Sequence, residues 1–167
     1  VVHVDIQSSV PCSAEIALES WRAEGKWLQG GAEKDVILPT DGQTVRWYQR
    51  NVHSVFADSF KFQHLGEIVN QFTDPLMNRT FGGLISGEGL KSKDDKTLVT
   101  SAPAKQIAVS IHALTAQTKT PEDWLAQLDQ QRKTVEAFPK GEAWSSHVKW
   151  WQEFWQRSGI YTLKGLS

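Results

Sequence analysis

Apolar and polar residues alternate from the first positions of the chain. Val2, Val4 and Ile6 are interleaved with His3, Asp5 and Gln7, the period of two expected of a strand with one buried face. The segments Ala14–Trp21, Thr44–Asn51, Val55–Phe62, Thr80–Gly87, Thr97–Ser101 and Ile107–Thr115 share this β-branched and aromatic content and predict further strands. Turn chemistry separates them: Gly30–Gly31, Pro39–Gly42, Asp74–Pro75 and the charged stretch Lys91–Lys96 each read as a loop or hairpin. In Ile107–Ala113 the residues Ile107, Val109, Ile111 and Ala113 alternate with Ala108, Ser110 and His112, so one face is expected to be buried more deeply. Short strands at this spacing predict a mainly β chain built as an antiparallel β-sandwich.

The period changes near residue 119. Thr120 is placed to cap a helix, Pro121 suits its first position, and Glu122 and Asp123 meet the positive end of its dipole. Trp124, Leu128, Gln131 and Val135 follow at helical spacing, and Pro139, Lys140 and Gly141 interrupt the run, predicting a helix over Pro121–Ala137. A second helix is predicted over Ser146–Ser158. His147, Trp150, Trp151, Phe154 and Trp155 fall on one stripe of it, opposite Lys149, Gln152, Glu153 and Gln156. The pattern divides the chain into a sandwich over 1–118, a helical linker over 119–160 packing on it, and a tail over 161–167.

Composition narrows the function classes. A chain of 167 residues fits one domain, and 18 Lys+Arg against 19 Asp+Glu leave no basic excess for phosphate neutralisation, which disfavours nucleic acid as a partner. No apolar run approaches the roughly 20 residues of a membrane-spanning helix. The single Cys12 excludes an intrachain disulfide framework and reads as a small packed hydrophobe. Eight Trp against two Tyr and one Met is the anomaly of the chain.

Catalytic motifs are absent from the sequence. The five histidines show no zincin spacing and no Cys/His cluster, so no metal and no cofactor is expected. Gly82–Gly83 and Gly87–Gly89 come nearest to a phosphate loop, but neither leads into a helix, and both read as strand bulges or bends. Lys91–Lys96 offers too few oxygens for calcium and reads as a solvated hairpin tip. Trp47 stands apart from the helical tryptophans, flanked by Arg46, Arg50 and Asn51 on a strand. That setting suits either a ring stacking on a sugar with Arg and Asn as donors, or a strand buried on one face with snorkelling arginines.

Three segments, Arg46–Asn51, Asp74–Gly83 and His147–Ser158, resemble domain-of-unknown-function family 5703. The aromatic run His147, Trp150, Trp151, Phe154, Trp155, Arg157, Ser158 is the most specific of them. The resemblance implies the N-terminal β-domain of large secreted bacterial proteins similar to glycoside hydrolase family 95, the α-L-fucosidase family, common in gut Bacteroidetes. It implies a supersandwich, then a helical linker, then an α/α toroid that carries the catalytic carboxylates, with no catalytic residue in this chain. The opening strand resembles the middle of the family's β-domain, which implies an incomplete sandwich with open sheet edges. On this reading Trp47, Arg50, Asn51 and Arg79 are candidates for glycan contact. His147, Trp150, Trp151, Phe154 and Trp155 are candidates for the interface with the toroid, and the location is secreted or periplasmic. A free-standing carbohydrate-binding module is the alternative.

Overall fold

The computed structural model describes residues 1–20, 22 and 33–159. In chain order the elements are β1 (Val2–Cys12), β2 (Glu15–Ala17), β3 (Val36–Ile37), β4 (Val45–Arg50), α1 (Phe56–Phe62), a short 3₁₀ helix (Gly66–Gln71), β5 (Arg79–Ser86), β6 (Leu90–Asp94), β7 (Thr97–Thr100), β8 (Ala104–Gln117), α2 (Pro121–Glu136) and α3 (Lys140–Arg157). The strands form two antiparallel sheets, one ordered β1-β8-β5-β4-β3 and one ordered β2-β7-β6. Mainly antiparallel β structure followed by two helices is therefore the architecture of this chain.

Successive side chains of a strand point to opposite faces, and the larger sheet uses both. On one face Val45, Ile85, Ile107 and Val109 pack with Leu90 and Leu98 of the smaller sheet, closing a first core between the sheets. On the other, Leu84 packs with Trp124 and Leu128 of α2, flanked by Tyr48, Leu114, Ala116 and Leu125. Tyr48 and Trp124 place their ring centroids 5.9 Å apart at a tilt, a favourable aromatic geometry.

The second core explains a departure from the alternation in β8. Ile107 and Val109 are buried on the sandwich face, but beyond Ile111 the deeper burial passes to His112, which is fully enclosed, while Ala113 is exposed. The smaller sheet covers only the first half of the strand, and α2 covers the opposite face of the second half. A period-two pattern therefore does not keep one face buried along all of β8.

Four segments also differ from the sequence pattern. Val55–Phe62 is not a strand: α1 occupies Phe56–Phe62, with the Phe56 N–H bonded to Ser54 Oγ at 3.0 Å. Phe56 and Phe60, one helical turn apart, meet at 4.7 Å, and Phe60 also meets Phe72 at 5.7 Å, so i,i+4 ring packing overrides the β propensity of the segment. Pro139, Lys140 and Gly141 end α2 but also open α3, which starts at Lys140 rather than near Ser146 because Pro139 is a compatible cap: its carbonyl accepts the Ala143 N–H. Lys91–Asp94 belongs to β6, leaving only the turn to Thr97 as the hairpin tip. Strand β2 covers only Glu15–Ala17 of the segment expected to run to Trp21; Trp21 and Gly30–Gly31 lie outside the described residues, as does the tail over 161–167.

The glycines of β5 are not bulges. Gly82 and Gly83 stay in register with Tyr48 and Trp47. A Cβ on Gly83 would meet the Trp47 ring at 3.0 Å and collide with the His112 carbonyl, so its absence lets the indole lie against the sheet. Gly89, at φ +73°, turns β5 into β6. By compactness the chain divides at residue 131, the second unit comprising the end of α2 and α3.

Candidate functional site

The strand register sorts the four candidate glycan residues between two faces. Trp47 and Asn51 are two positions away from Gln49 on either side and share the sandwich face of β4, whereas Arg50 points to the α2 face. Arg79 joins the first group. The Asn51 N–H bonds to its carbonyl at 3.0 Å, and the Asn78 N–H bonds to the Asn51 carbonyl at 2.7 Å, locking the end of β4 to the start of β5.

Arg50 is buried and its guanidinium is used internally. Nη1 donates to Thr80 Oγ1 at 2.9 Å and Thr118 Oγ1 at 3.2 Å; Nη2 donates to the carbonyls of Thr118 and Lys119 at 2.8 and 2.9 Å. The fork thus joins β4, β5 and the segment that leads into α2. That helix then opens with a reciprocal cap: the Asp123 N–H bonds to Thr120 Oγ1, and the Thr120 N–H bonds to Asp123 Oδ2, both at 3.1 Å. Earlier on the same face of β4, Arg46 lies 3.0 Å from Asp129 of α2 and 3.7 Å from Asp41.

The sandwich face around Trp47 is part open. Trp47 packs against the edge of the first core, and Phe81, cross-strand from Gln49, is exposed beside it. Gln49 is buried; its Nε2 donates to Asn51 Oδ1 at 2.9 Å, and among the described residues no donor reaches its Oε1. Alternation points to Gln49 as soon as Trp47 is placed, because residues two apart on a strand share a face. Phe81 had no such signal, since only the pairing of β4 with β5 brings it there. The neighbouring loop is held by Gln117, whose Nε2 donates to the carbonyls of Asp74 and Met77 at 2.9 and 2.6 Å, and by Arg79, whose Nε donates to the Pro75 carbonyl at 2.7 Å.

The carboxylates with displaced titration serve turns. Partial burial alone would raise Asp41, but bonds from the Gln43 N–H, the Thr44 hydroxyl and N–H, and the nearby Arg46 charge together hold it below the usual range. Slight desolvation of Asp74 is likewise outweighed by the Ser54 hydroxyl and the N–H groups of Leu76 and Met77. Asp94 is held down first by the Lys96 N–H and then by the Thr97 hydroxyl. All three shifts favour the charged form, opposite to what a glycosidase general acid needs. Among the described residues no three His, Cys, Asp or Glu side chains converge to hold a metal ion, and no helix is long and apolar enough to cross a membrane.

The five interface candidates lie together on α3. Trp151 donates its Nε1–H to His147 Nε2 at 3.1 Å and stacks on Trp155 at 6.1 Å; Trp150 stacks on Phe154 at 5.4 Å and meets the Trp151 ring edge-on at 4.8 Å. Trp144, which the expected helix start excluded, extends the row by stacking on His147 at 5.9 Å. The tryptophan rings of the row remain in contact with water, from 40% exposure for Trp151 to 69% for Trp144.

Comparison with known proteins gives one match. No curated protein and no solved structure matches the chain. The family model DUF5703_N, described as a domain of unknown function (DUF5703), matches residues 1–160, a span that includes both sheets, α2, and the aromatic row of α3. A match over nearly the whole length, spanning the strands and the aromatic helix alike, makes this chain a member of the DUF5703 family.

Proposed function

We propose that the chain is a non-catalytic β-sandwich domain of a secreted or periplasmic, carbohydrate-active bacterial protein similar to glycoside hydrolase family 95, and that α3 packs against a following helical toroid that carries the catalytic carboxylates. The observation that carries this reading is the aromatic row of α3. Its rings are already ordered against one another, so docking gains their burial at little further cost in side-chain entropy. A contiguous exposed apolar stripe with charged residues opposite is the usual form of a protein contact.

The test is to read the gene downstream of this segment and to express the chain with and without that downstream region. An encoded helical toroid whose presence shields the tryptophans from acrylamide quenching supports the proposal. A gene without a helical region, or unchanged quenching, overturns it.

A specific observation favours a second reading, a carbohydrate-binding module. The part-open face of Trp47 and Phe81 offers ring surfaces on which a sugar could stack. Arg50 would act there only by positioning β4, since its donors are engaged. Binding on a glycan array that is lost in Trp47→Ala and Asn51→Ala variants of unchanged fold supports this reading, and an array with no binding removes it.

A further inference from the structure

His147 lies between Trp144 and Trp151 in the aromatic row of α3. Its Nε2 accepts the Trp151 Nε1–H at 3.1 Å, and one turn earlier its ring stacks on Trp144 at 5.9 Å with 29° between the planes. An indole N–H can only donate, so this bond exists only while Nε2 keeps its lone pair, with the ring neutral and its proton on Nδ1. Protonation makes both ring nitrogens donors and sets an N–H against an N–H. The cation so formed has another partner, because the Trp144 ring lies within the roughly 6 Å at which an aromatic face attracts a cation. No carboxylate of α3 competes for it: the residues three and four positions away are Ala143, Trp144, Trp150 and Trp151, and the charged Glu142, Lys149 and Glu153 lie off the row, the last two 3.9 Å from each other. Among the described residues, the hydrogen bond and both ring contacts of His147 lie within α3.

We infer that His147 is a protonation switch for the row, neutral and tied to Trp151 in one state, charged and drawn to Trp144 in the other. Imidazole is the side chain whose ordinary titration falls between pH 5 and 8, so the change needs no ligand but the proton. In the neutral state the Trp151 Nε1–H is satisfied and the stripe carries no charge, the form suited to burial. In the charged state that N–H loses its acceptor and a cation stands among the rings, which an apolar contact would have to desolvate. A partner that covers the row therefore takes up the neutral form, and by linkage its hold weakens as pH falls through the imidazole titration. That consequence rests on the proposed packing of α3 against a following toroid, whereas the switch itself belongs to this chain alone.

The test follows the Trp151 indole N–H by proton–nitrogen NMR of the 167-residue chain from pH 8 to pH 5, beside variants checked for unchanged circular dichroism, the signal being assigned by its loss in Trp151→Phe. On acidification it is expected to leave its hydrogen-bonded position with the same midpoint as the His147 ring protons. His147→Gln offers an amide oxygen that accepts at every pH and is expected to hold the signal still. His147→Lys can only donate and is expected to show the acid position already at pH 8. A Trp151 signal that does not move in the unaltered chain, or that moves equally in His147→Gln, overturns the switch. In the chain extended by its downstream region, shielding of the tryptophans from acrylamide at pH 7.5 is expected to be lost at pH 5.5 (~2 units, spanning the ordinary imidazole titration) and retained in His147→Gln. Shielding at neither pH removes the packing with the toroid and leaves the switch of the isolated chain as the NMR finds it; equal shielding at both overturns the coupling of the switch to docking.

Discussion

Trp124 on α2 and Trp151 on α3 stand on equivalent apolar stripes of successive helices, and their surroundings are opposite. Trp124 is wholly buried against Leu84, Leu128 and Tyr48, whereas Trp151 meets rings of its own helix and keeps 40% of its surface in water. The difference lies in how each helix is anchored. Within the first compact unit, α2 is tied to the sheet by the Arg50 fork, the Thr120–Asp123 cap and the Arg46–Asp129 pair, so its stripe has a fixed surface to meet. The stripe of α3 is organised by contacts within the helix itself. An aromatic stripe at helical spacing thus denotes burial in one case and an available contact surface in the other.

Substitution sharpens this contrast, beginning with the largest effect. Trp124→Ala empties a fully enclosed site and is expected to cost about 3–5 kcal/mol, read as a large fall in denaturant midpoint. A cost no greater than that of Trp151→Ala would remove the distinction between the two helices. Arg50→Ala leaves Thr80, Thr118 and Lys119 without a shared donor and is expected to cost about 3 kcal/mol. Arg50→Lys should recover only part of that, because an ammonium cannot span the same acceptors as the fork. Trp151→Ala removes a part-exposed ring whose partners among the described residues are on its own helix, each such pair being worth about 0.2–0.5 kcal/mol, and is expected to cost about 1 kcal/mol. It should also raise the solubility of the isolated chain.

The smallest expected effect is in acid. Asp41 has a folded pKa below its ordinary 3.8, so its contribution is present above that value and is lost as pH falls through the folded one. Stability measured across this acid window should fall less steeply in Asp41→Asn than in the unaltered chain. An equal slope would assign the acid response to other carboxylates, Asp74 and Asp94 first.

Much of the architecture was legible because it depends on local chemistry. Alternation marked β1 and β8, β-branched and aromatic content marked β4 and β5, and Thr120 with Pro121 and Asp123 marked the start of α2. The α1 segment misled because Phe56 and Phe60 satisfy a helical contact with residues equally suited to a strand. Of the candidate glycan residues, Trp47, Asn51 and Arg79 gather on one side, and Arg50 is separated from them by nothing more than the parity of its position.

The sequence by itself determined where most strands and helices lie and which residues are apolar, since these follow from the order of side chains along the backbone. Only the tertiary structure decided which sheet face each half of β8 buries, that His112 is enclosed while Ala113 is exposed, and that Trp124 is core. Burial depends on what covers a face, and the coverings here are distant in the chain: the smaller sheet draws on β2, β6 and β7, and the opposite face of β8 is covered by α2.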